Sequence, residues 1–147
     1  MTQHGGTEVR FGSGEDISAK CFNDRLMQLK AVCIAVYVIL FAIGGSVHLS
    51  HIIEDGWLPY TYAPDWINSY WTSLVFFDFI AIGLLLKYRN IGLVFSLLVM
   101  ISDVGVNTYA HSIHGGDVYW GYIAQVVFLG FILGTAGFLW RPRHSLR

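Results

Sequence analysis

Four of the six histidines fall into two H-x-x-H pairs, His48-Leu49-Ser50-His51 and His111-Ser112-Ile113-His114. Residues three apart share a helix face, and imidazole is the commonest protein metal ligand. Two such pairs on facing helices would supply up to four nitrogen ligands for a divalent transition metal, with Glu54, Asp55 or Asp117 nearby as oxygen donors. A neutral, oriented imidazole also needs an acceptor behind it, a part open to Asn107, Asp103 or Ser112. Paired axial ligation of haem, for example by His48 with His111, is the less favoured metal chemistry, because these residues sit at the ends of their apolar segments.

Asp78 and Asp103 lie inside apolar segments, where an ionisable group is read as facing a bundle interior or a watery cavity. Each is roughly eight to ten residues from its segment end, or about 12 to 15 Å deep at the helical rise. Two carboxyl groups brought to one site can hold a proton between them. At 100° per residue, Asp103, Asn107, His111 and His114 fall within about 80° of arc, with Ser96 on the same face. Tyr37, Gly44, His48 and His51 form a comparable stripe on the first apolar segment.

These residues belong to a chain that is 54% hydrophobic over 147 residues. That is too apolar for an ordinary soluble domain of this length, so the surplus is expected to face lipid. A span needs about 20 mostly apolar residues to cross roughly 30 Å of hydrocarbon. Four segments qualify, at about 31–50, 68–86, 91–111 and 119–140. The expected fold is an all-α integral membrane four-helix bundle over residues 29–140, with a flexible polar tail at 1–28 and a basic tail at 141–147. Only Lys87 to Asn90 separates the second and third spans, which makes them antiparallel neighbours.

All nine lysines and arginines fall before the first span, in the turn after span two, or in the last tail. The other two loops carry Glu54, Asp55, Asp65 and Asp117 instead. By the positive-inside rule both termini are cytoplasmic, in what is expected to be a bacterial inner membrane. Tyrosine and tryptophan crowd the opposite face, from Trp57 to Trp71 and from Tyr119 to Tyr122, as a headgroup-level belt or an aromatic mouth.

Other functions are excluded or unsupported. A net charge of −1 without a basic block is not the footprint of a nucleic-acid binder. There is no C-x-x-C, H-E-x-x-H, G-x-S-x-G or phosphate-binding glycine loop. Cys21 and Cys33, at the expected cytoplasmic end, are not expected to form a disulfide. Gly130 and Gly134 make a small-xxx-small pair in span four, for a neighbouring helix, a second copy or a membrane partner.

Pro64-Asp65-Trp66-Ile67-Asn68-Ser69 with Asp78 further along resembles the start of the second helix in the EXPERA group, four-helix membrane proteins that include sterol isomerases and the sigma-2 receptor. The acid here is displaced by about one helical turn, so no functional residue carries over. The resemblance implies an apolar, lipid-like ligand held between helices over an acidic floor.

Three functions follow. The first is transition-metal binding for transport, delivery or sensing, with His48, His51, His111 and His114 as ligands and Asn107, Asp103 and Asp78 as support. The second is a membrane enzyme or binder of an apolar ligand using Asp78 and Asp103. The third is an accessory subunit whose polar stripes satisfy one another or a partner helix.

Overall fold

An unbroken run of residues 15–43 without glycine or proline lets the first helix propagate well beyond its apolar stretch. The computed structural model describes residues 14–114 and 120–140, with side chains described for 17–113 and 120–140. Four helices result: α1 (Gly14–Asp55), α2 (Asp65–Lys87), α3 (Arg89–His114) and α4 (Trp120–Leu139). Each is long and apolar enough to cross a membrane. At 1.5 Å per residue the 42 residues of α1 extend about 63 Å, roughly twice the hydrocarbon thickness. Its first turns therefore continue as helix through part of the stretch expected as a tail.

The helices pack as an up-and-down ring. α1 lies against α2, α2 against α3, α3 against α4, and α4 returns to α1, with the α1–α4 seam the most lightly packed. α1 and α3 are thus diagonal, as are α2 and α4. The described basic residues Lys20, Arg25, Lys30, Lys87 and Arg89 collect at one end of this ring, and Glu54, Asp55 and Asp65 at the other.

The α2–α3 hairpin is as tight as expected. Tyr88 alone separates the helices, and its N–H donates to the Leu84 carbonyl at 2.7 Å. Gly92 makes this possible, because a Cβ there would overlap the backbone nitrogen of Leu85 and lie 2.6 Å from its Cα. Gly130 and Gly134 meet nothing within 4 Å and are exposed, so the small-xxx-small pair is not used inside the bundle. Cys21 is exposed and Cys33 buried, both as free thiols.

At the basic end the core is closely packed and aromatic. Tyr37, Phe41, Leu85, Leu93, Ile132 and Leu139 are fully buried or nearly so. Here α1 and α4 are fastened together: the Tyr37 hydroxyl donates to the Ile132 carbonyl at 3.3 Å and lies 3.0 Å from Thr135 Oγ1. Its ring meets Phe128 and Phe131, Phe41 meets Phe128 edge-on at 5.1 Å, and the Lys30 ammonium covers Phe138. Hydrogen bonds of this kind fasten helices to one another inside a membrane, where burial of apolar surface gives them no mutual attraction.

Candidate functional site: an acidic chamber open at a helix seam

Beyond Phe41 and Phe128, towards the acidic end, the bundle encloses a cavity of about 370 Å³. That is the size of a small-molecule site. All four helices line it: Phe41, Gly44, Val47, His48 and His51 from α1, Trp71, Leu74 and Asp78 from α2, Met100, Asp103 and Asn107 from α3, and Gly121, Ala124, Gln125 and Phe128 from α4. Tyr60 and Tyr62 of the α1–α2 loop close its acidic end. Leu40, Ile43 and Val47 line the cavity and are also exposed on the outside of the bundle, as are Gly121 and Ala124 across the seam. The mouth therefore opens sideways between α1 and α4, on a lipid-facing flank.

Asp78 and Asp103, from adjacent antiparallel helices, both line this chamber. Each is only 6% exposed. Their surroundings differ. Asp103 is held: the Asn107 side-chain amide donates to its Oδ1 at 2.8 Å and to Gln125 Oε1 at 3.0 Å, a polar chain from α3 to α4. Among the described residues no side chain hydrogen-bonds Asp78, whose carboxyl group faces the cavity. Gly44 makes room for it, since a Cβ there would stand 3.0 Å from Asp78 Oδ2, and at Gly45 a Cβ would stand 3.2 Å from Asp78 Cβ. Close approach of α1 to α2 at these glycines thus leaves room for the Asp78 carboxyl group on the chamber wall.

The histidine pairs do not come together as a four-ligand set among the described residues. His48 and His51 both turn Nδ1 to the hydroxyl of Tyr60, at 2.9 and 3.0 Å. One phenol can donate to one ring and accept from the other. His111, on the diagonal helix, instead stacks on Tyr122 with ring planes 11° apart. The side chain of His114 lies outside the described residues, as does Asp117. No group of three or more His, Cys, Asp or Glu side chains among the described residues is placed to hold a metal ion. Of the two pairs, His48 and His51 line the cavity, whereas His111 is not among its lining residues.

Tyr60 has the most consequential placement among the belt aromatics. It is buried, edge-on to Trp71 at 5.2 Å, and its N–H donates to Asn68 Oδ1 at 3.1 Å. The Asn68 amide in turn donates to the Leu58 carbonyl at 3.0 Å, so one α2 side chain clamps both sides of the loop. The reversal itself uses left-handed backbone at Gly56 (φ 87°) and at Leu58 (φ 60°), an uncommon conformation for a leucine that the clamp holds in place. Asn68→Ala is expected to cost about 1–3 kcal/mol by leaving the buried Tyr60 N–H without its acceptor. Thermal unfolding in mild detergent measures the loss, and faster hydrogen exchange at the Tyr60 amide locates it. An unchanged midpoint with an unchanged exchange rate would show that the loop does not depend on Asn68.

The fold and composition are those of a multi-pass membrane protein. Comparison with protein-family models, with curated proteins and with solved structures finds no match to this chain.

Proposed function

We propose that this protein binds an apolar, membrane-dissolved molecule in the chamber between its four helices, with Asp78 and Asp103 receiving that molecule's polar group. The observation that carries this reading is the Asp78 carboxyl group, buried yet without a hydrogen-bonding side chain among the described residues. A carboxyl group on a cavity wall, with no side-chain partner among the described residues, is available to a ligand bearing a matching group. The sideways mouth between α1 and α4 supports access from the bilayer, and the apolar lining supports a ligand that prefers lipid to water. With the basic end cytoplasmic, as the placement of lysine and arginine implies, the chamber occupies the outer half of the membrane.

The test is extraction and mass spectrometry of lipids from protein purified in mild detergent from its native membrane, wild type beside Asp78→Leu. One species enriched over bulk lipid in the wild type and depleted in the variant is the expected result. The same bulk phospholipids in both samples would overturn the proposal.

A further inference from the structure

We infer that the chamber selects amphiphiles whose head group donates hydrogen bonds and carries no negative charge, and that it rejects fatty-acid and phosphate heads of the same chain. This rests on the ligand-binding function proposed above and specifies its ligand class.

The groups at the chamber floor are mostly acceptors. Asp78 offers a carboxyl group with no side-chain partner among the described residues, and Asp103 has one oxygen engaged by Asn107. Of the amide donors here, that of Asn107 already serves Asp103 Oδ1, the Asp103 carbonyl and Gln125 Oε1, which leaves the Gln125 amide as a donor beside the four carboxyl oxygens. A hydroxyl or ammonium head complements this arrangement. A carboxylate or phosphate head brings further acceptors and, with them, negative charge beside two carboxyl groups.

The wider charge pattern points the same way. The described lysines and arginines lie at the opposite end of the bundle. Anionic lipid heads are recognised in other proteins by basic side chains, and no lysine or arginine among the described residues lines this chamber. His48 and His51 are at the rim, with Nδ1 of each ring taken up by Tyr60. An anionic head would also lose its water in an apolar enclosure, a cost that pairing with a cation offsets in other proteins.

Shape adds a second restriction. A volume of about 370 Å³ holds a head and the first part of a chain. The remainder must leave between Ile43 and Val47 on one side and Gly121 and Ala124 on the other, the last two being small enough to let a slender chain pass.

The test uses four amphiphiles with one common alkyl chain and a hydroxyl, ammonium, carboxylate or phosphate terminus. Each is titrated into the full-length protein in nonionic detergent and followed by native mass spectrometry. The hydroxyl and ammonium members are expected to bind at least about tenfold more tightly than the carboxylate and phosphate members. Asp78→Asn, which keeps the shape and puts an amide donor in place of an acidic oxygen, is expected to narrow that gap to less than about threefold. Carboxylate or phosphate binding equal to that of the hydroxyl member would overturn the inference while leaving a ligand-binding chamber in place. Binding of none of the four would remove the proposed function and the inference together.

Discussion

Gly92→Ala is expected to dismantle the α2–α3 hairpin, lowering stability by about 3 kcal/mol or more. Overpacking is usually relieved by a side chain that shifts. Here the new methyl group meets the backbone nitrogen and Cα of Leu85 and the carbonyl carbon of Leu84, 2.7 Å away. Backbone inside a helix cannot yield without breaking the hydrogen bonds that define the turn, including the one from the Gly92 N–H to the Tyr88 carbonyl at 2.9 Å. Because Asp78 and Asp103 reach the chamber from these two helices, the site is expected to be lost with the hairpin. Gly130→Ala is the matched control: its Cβ meets nothing within 4 Å, and replacing glycine within a helix is expected to gain up to about 1 kcal/mol. Thermal unfolding of both variants in one detergent makes the comparison. Equal midpoints would contradict the close approach of α2 and α3 at Gly92.

Gly44→Leu is expected to have the opposite profile, with the fold retained and ligand binding weakened at least about a hundredfold. Gly44 lines the chamber, and the atom nearest its Cβ is the free end of the Asp78 side chain, which can rotate aside. The rest of the leucine side chain then extends into cavity space that the ligand would fill. Leucine is also a better helix former than glycine, which offsets the cost of crowding. Loss of binding together with a collapsed melting midpoint would show that Gly44 is needed for packing instead.

The four helices were legible because apolar runs of span length leave few alternatives, and the short stretch at Lys87 to Asn90 dictated one antiparallel pair. The extra length of α1 was not, since hydropathy marks where lipid begins and says nothing about where a helix without glycine or proline stops. Asp78, Asp103 and Asn107 stood out as polar residues in apolar spans, and the structure brings all three to one cavity. The same signal was present at Gln125, a side-chain amide in the fourth span that completes the Asp103 chain and was overlooked.

The histidine pattern illustrates a limit of periodicity. Spacing assigns a residue to a face of its own helix and cannot order helices around a ring, so it does not determine whether two matching pairs share one site. Tyr60 was hidden among belt aromatics because its place depends on a chain reversal through left-handed backbone at Gly56 and Leu58. Glycines were ambiguous for a related reason: Gly130 and Gly134 carry the motif, yet Gly44 and Gly92 make the close approaches.

Occupancy of the chamber is read most directly by native mass spectrometry of untagged protein released from its own membrane, wild type beside Gly44→Leu. A single bound molecule on the wild type, absent from the variant while both remain folded, is the expected result. An adduct of equal abundance on both proteins, or on neither, would contradict a ligand-binding role for the chamber.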